Sequence, residues 1–154
     1  MANYVMNIAK GRIVQLVRNV DLNTPADAKI ILIPLSASET EANAQDVDTV
    51  TAFLATAANE QTAGGWVRKT LTDADFAATD YDADDTANLG EASLPSVTWT
   101  APTAPNNTTG LLVAYTEEVS PTDAVTIPLT HHDFVVTADG NDVVLNAGDF
   151  LTAA

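Results

Sequence analysis

The longest strongly apolar run in this chain is Ile30 to Leu35, and Pro34 interrupts it. It falls far short of the roughly 20 residues that span a bilayer as a helix, so Lys29 to Leu35 reads as a buried strand. Proline lacks the N–H that a continuous ladder uses, which puts Pro34 at an edge or a bulge. Material for a core is limited elsewhere. The hydrophobic fraction of 46% includes 26 Ala, and large apolar side chains are sparse in the 154 residues. One modest core fits that supply, and two do not.

Periodicity divides the chain into two halves of one domain, 1–154. In the mixed half, about 1–79, Ile13, Leu16, Val17 and Val20 form the i, i+3, i+4, i+7 stripe of a helix, with an extended segment as the alternative. Val47, Val50, Phe53, Leu54 and Ala57 suggest a second helix, and Gly64-Gly65 ends it. Trp66 to Leu71 reads as a strand. Thr72 to Asp75 fits a capping box that opens a short helix through Ala78. An acidic loop, 80–91, follows. In the other half, about 94–154, Val97–Thr100, Gly110–Thr116, Val125–Leu129 and Phe134–Thr137 are rich in β-branched and aromatic residues and separated by Pro- and Asn-containing turns. Asp139-Gly140 is placed to join the last of these to Asp142–Asn146 as a hairpin. The expected fold is α+β: an antiparallel, sandwich-like sheet in the C-terminal half, with two or three short helices in the N-terminal half.

Charge is distributed unevenly. All six basic residues, Lys10, Arg12, Arg18, Lys29, Arg68 and Lys69, precede position 70 and face seven acids there. The remainder carries 14 acids and no Lys or Arg, within a net charge of −15. Such a surface repels phosphate backbones, so nucleic acid is not an expected partner. It serves solubility and self-repulsion, or else meets a basic partner or divalent cations. Met1 to Arg12 holds no long apolar stretch and no basic amphipathic segment follows, so neither a secretory signal nor membrane association is expected. There is no Cys, which removes disulfides and thiolate chemistry.

Candidate chemistry is thin. Asp80, Asp82, Asp84, Asn88 and Glu91 match positions 1, 3, 5, 9 and 12 of a calcium loop, whose alternate oxygens wrap a hard cation. Position 6 is Asp85 instead of Gly, and Leu94-Pro95 follows in place of a second helix, so the competing reading is a solvated acidic loop. Strand alternation puts His131 and Asp133 on one side and His132 on the other, and two ligands do not close a zinc site. The five Ser residues lie in no nucleophile elbow, and Gly64-Gly65 lacks the Lys and Ser/Thr of a phosphate loop. Trp66 and Trp99 suit a core or an interface, including a sugar-stacking one. No enzyme activity is expected from these patterns.

Three stretches, Met6–Arg12 (MNIAKGR), Arg68–Asp75 (RKTLTDAD) and Ile127–Phe134 (IPLTHHDF), occur in that order with Val97–Thr100 (VTWT) between the last two. Together they resemble small structural proteins encoded beside the capsid genes of tailed bacteriophages, over most of the chain from Met6 to about Phe150. The resemblance implies a virion protein, most like a capsid decoration (cement) protein on the outer face of the major capsid protein lattice. It also implies assembly in a host cytoplasm and a homo-oligomer, trimer or dimer. Neck, tail or minor head proteins share the same motifs. Lys10, Arg12 and Arg18 are the expected capsid-docking residues, against the plainer reading that they solvate one helix face. A calcium-dependent carbohydrate-binding module built on Asp80–Glu91, Trp66 and Trp99 is the alternative from another class.

Overall fold

A computed structural model of the chain describes residues 3–76, 81–84, 89–146 and 148–153. The apolar run is β2 (Lys29–Ala37), and it pairs antiparallel along most of its length with β8 (Thr108–Thr116). On the far side of β8 lies β9 (Ile127–Val136), followed by the short edge strand β1 (Tyr4–Val5). The other edge of β2 is shared by β3 (Asn59–Glu60) and β4 (Lys69–Leu71), which completes a six-stranded antiparallel sheet. Both halves of the sequence contribute to this sheet. The α+β architecture and the sheet-rich C-terminal half are as the sequence leads one to expect.

Pro34 sits where the sheet tolerates it. Its carbonyl accepts from Gln61 N–H at 2.9 Å, so its nitrogen faces the same side, between the end of β4 pairing at Leu32 and the start of β3 pairing at Leu35. Pro128 is accommodated differently, at the register shift at Val113/Ala114 between β8 and β9.

α1 (Ile13–Asp21) buries its whole predicted stripe, Ile13, Leu16, Val17 and Val20. It lies beside β2 on the sheet face that carries Tyr115, whose hydroxyl accepts from Asn19 Nδ2 at 3.3 Å. The second helix is shorter than its periodicity suggests. Thr49 caps α3 (Val50–Leu54) by accepting from Ala52 N–H, and Glu41–Ala44 forms a separate turn of helix, α2. The capping box at Thr72 forms, with Asp75 reaching back to the Thr72 N–H, but the helix it opens is a single 3₁₀ turn, Asp73–Asp75. The expected continuation past Phe76 lies outside the described residues.

Two expectations for the C-terminal half are corrected. The segments Val125–Leu129 and Phe134–Thr137 are not separate strands, because β9 runs unbroken through His131-His132-Asp133. Nor does Asp139-Gly140 close a hairpin between β9 and β10 (Val143–Leu145). β10 pairs instead with β7 (Val97–Trp99), and Gly140, at a φ of +88°, donates its N–H to the Pro102 carbonyl. The third sheet orders β11 (Gly148–Ala153), β6 (Leu89–Leu94) and β5 (Tyr81–Asp84), with α1 adjoining β5 and β6.

His131 explains why β9 stays extended. It is fully buried, stacked on Tyr4 at 4.8 Å across the β1–β9 pair, and its ring packs over Gly110 of β8. A Cβ on Gly110 would come 2.6 Å from His131 Nε2 and would also collide with Ser38 Oγ. Gly110→Ala is therefore expected to destabilise the fold by about 1–3 kcal/mol, as overpacking does. Thermal unfolding of the variant checks this, and an unchanged midpoint would mean that the ring is free to move aside.

Candidate interaction surface

The predicted docking residues stand on the outer side of one segment. Lys10 lies in the turn between β1 and α1, Arg12 occupies the N-cap position of α1 and Arg18 its last turn; all three side chains are exposed. Gln15, Arg18 and Leu22 follow i, i+3, i+7 spacing on the face opposite the buried stripe, and Leu22 is 54% exposed. The periodicity that places the stripe also marks this opposite face, including Gln15 and Leu22. The stripe itself is buried and leaves no apolar surface for a partner.

The local electrostatics differ from one cation to the next. Lys10 donates to the neutral Asn7 Oδ1 at 2.6 Å, which leaves its charge uncompensated by that partner. Arg12 stands at the end of the helix that the macrodipole makes positive, and it faces Glu117 and Glu118 across a shallow cleft of about 200 Å³ that Tyr115 and Val125 also line. Burial pushes the Tyr115 hydroxyl up to about 12, and the Glu117 carboxylate that accepts its proton at 2.7 Å adds to the shift. Arg18 sits at the helix end where the dipole favours a cation.

Two other basic residues are engaged within the chain. Lys29 Nζ donates to the carbonyls of Glu118 at 2.9 Å and Val119 at 3.2 Å. Arg68 makes a two-pronged contact with Glu60 (2.8 and 2.6 Å) and another with Asp123 (2.5 and 3.0 Å), tying β3 to the loop before β9. Its guanidinium holds the Asp123 carboxyl below the usual carboxylate range.

The remaining candidates fall elsewhere. Trp66 and Trp99 are not surface anchors. They are 1% and 0% exposed, 5.6 Å apart, and each packs on Phe134. Their indole N–H groups donate to the carbonyls of Asn106 and Val67, so both rings complete the core and offer no face to a sugar or a partner. Among the five calcium-loop positions only those in strands are described. Asp82 and Asp84 lie in β5 and Glu91 lies in β6 directly opposite Asp82, so these stretches are ladder, not the coiled loop of the template; Asp80 and Asn88 lie outside the described residues. Among the described residues no group of three His, Asp or Glu is arranged to hold a metal. Asp133 is exposed while His131 is buried, and His132, pulled below its ordinary value by burial, approaches Thr130 Oγ1 at 2.8 Å.

Two measurements follow. A carboxylate depressed in the folded state adds stability above its unfolded value and loses it as the pH falls through the folded one. The wild type is therefore expected to lose about 1 kcal/mol more than Arg68→Met on acidification below about pH 4, a modest figure because the pair is partly exposed. Parallel acid titrations of the two proteins would refute the ion-pair contribution. For the acidic segment, Asp82→Asn/Asp84→Asn is expected to melt as the wild type does with and without calcium. Native-state binding at 100 times the dissociation constant would add about 2.7 kcal/mol, and a shift of that size lost in the double variant would establish a cation site.

Comparison of the chain with protein-family models, with curated proteins and with solved structures finds no match.

Proposed function

We propose that this chain is a structural virion protein that decorates the outer surface of a bacteriophage capsid and stabilises it by binding the major capsid protein lattice. The observation that carries this reading is the grouping of Lys10, Arg12 and Arg18 as exposed cations on one turn and helix of a chain that has no basic residue after Lys69. Exposed cations concentrated on one turn and helix of so acidic a protein favour a preferred orientation toward an acidic surface. The 14 acids beyond Lys69 disfavour proximity to packaged DNA, which supports a station outside the shell. The stretches that resemble phage structural proteins point the same way.

The docking unit is the outer face of α1 with the turn before it, and not a detachable N-terminal tail. Tyr4, Met6 and Ala9 are buried, Met6 N–H donates to Leu129 O, and Asn7 N–H donates to Gln45 O, so removing Met1 to Arg12 would damage the sheet edge along with the docking residues. Decoration works by mass action: a protein that binds assembled shell better than free subunits makes disassembly costlier. Many copies on adjoining sites add modest contributions into a large one.

The experiment uses the exposed face alone. Arg12→Glu/Arg18→Glu is expected to fold as the wild type does and to lose about tenfold or more in affinity for undecorated shells, equivalent to about 1.4 kcal/mol. Wild-type binding is expected to weaken with added salt. Shells carrying the wild type are expected to rupture at higher temperature than shells without it. Equal occupancy by wild type and variant, or identical rupture temperatures, would contradict the proposal.

A further inference from the structure

The α2 turn rests on polar contacts more than on apolar burial. Ala44 is its one buried residue, and a helix of four residues has no stability of its own. Glu39, buried at the end of β2, holds the turn in place. One carboxylate oxygen accepts from Thr40 N–H at 2.7 Å, the Thr40 hydroxyl at 3.2 Å and Asn43 Nδ2 at 3.2 Å. The other accepts from Ala57 N–H, beyond α3, at 3.1 Å. The N-terminal segment leans on the same turn. Asn7 N–H donates to Gln45 O at 2.7 Å, Asn7 Nδ2 donates to Asp46 Oδ1, and Asn7 Oδ1 receives Lys10 Nζ. One carboxylate thus stands at the root of a chain of contacts that runs from β2 through α2 to Lys10.

We infer that Glu39 is a proton-operated clasp: neutralising its carboxylate opens the α2 turn, and the Asn7–Lys10 turn with it, while the sheet stays folded. Four donors converge on two oxygens, and only the charged form accepts at both. Those donors hold the carboxyl below the usual carboxylate range. Such a group adds stability above its unfolded value and loses it as the pH falls through the folded one. Thr40, Glu41 and Asn43 are exposed, so water takes over their donors once the carboxylate lets go, and the opening stays local. The ladder between β2 and β8 has no such dependence, because its paired residues, Lys29–Leu35 and Gly110–Thr116, include no acid. The other titratable groups around the joint are Tyr4, Glu41 and Asp46, with His131 behind the Tyr4 ring. The inference concerns the free chain and stands apart from the proposed capsid role.

Glu39→Gln tests the clasp at neutral pH, where the neighbouring acids keep their charge. Gln has the shape of Glu but one accepting oxygen, so whichever way its amide turns, an NH₂ group meets a donor. Hydrogen exchange at the amides of Asn7, Asn43, Ala44, Gln45 and Ala57 is expected to run at least about tenfold faster in the variant. The β2 and β8 amides are expected to keep their wild-type rates. In the wild type, the same five amides, corrected for intrinsic exchange, are expected to lose protection below about pH 4, before the ladder does. This acid series tests the clasp even if the variant fails to fold. Unchanged exchange at those amides in a folded variant overturns the inference. So does protection lost from turn and ladder together as the wild type is acidified, which would make Glu39 an ordinary member of one cooperative core.

Discussion

Strand β2 is apolar at nearly every position, and a strand of that kind has to be covered on both faces. Ile30, Leu32 and Pro34 point one way and Ile31, Ile33 and Leu35 the other, and each of the five aliphatic residues is at most 4% exposed. Burying each such side chain contributes about 1.5–3 kcal/mol, so a sheet with one solvated face would forfeit a large part of the stability available to a chain this poor in large apolar residues. The answer is to place β2 against β8, itself buried along almost its whole length, with α1 on the face that carries Tyr115 and the Tyr4–His131 stack on the opposite face.

Polar groups hold the covering elements in register with that core. Glu39, at the end of β2, has its carboxylate below the usual range through the N–H groups of Thr40 and Ala57 and the amide of Asn43. One side chain therefore joins the strand end to the turns around α2 and α3. Arg68 does the same for β3 and the loop leading to β9, since the Asp123 it grips also accepts Thr51 N–H through its carbonyl. Ion pairs of this exposure contribute little each, so their effect lies more in fixing the loops than in total stability.

The elements most legible in the sequence were those whose burial follows a short period. The α1 stripe, the β2 run, β8 and the capping box at Thr72 were all read from local pattern, and α1 needed no tertiary information to identify its outer face. What local pattern could not supply was partnership. Asp139-Gly140 carries a hairpin signal, yet Trp99 and Val97 recruit β10 to β7, because packing over the tryptophan pair outweighs a turn preference. Trp66 and Trp99, read as possible anchors for a partner, are held inside by each other and by Phe134, contacts separated by more than 30 residues of sequence. The sequence divided β9 into two strands on either side of His131-His132-Asp133, and the strand runs through because Gly110 leaves room for the ring that Tyr4 covers.

On the proposed reading, α1 packs its apolar stripe on the core and presents the exposed Arg12 and Arg18 to a capsid surface. The most direct measurement is a reconstruction of intact particles carrying this chain, at a resolution sufficient to orient α1. The account predicts density on the outer shell, with the outer side of α1 that bears Gln15 and Arg18 against the capsid lattice. Density confined to the neck or tail, or copies seated with α1 facing away from the shell, would contradict it.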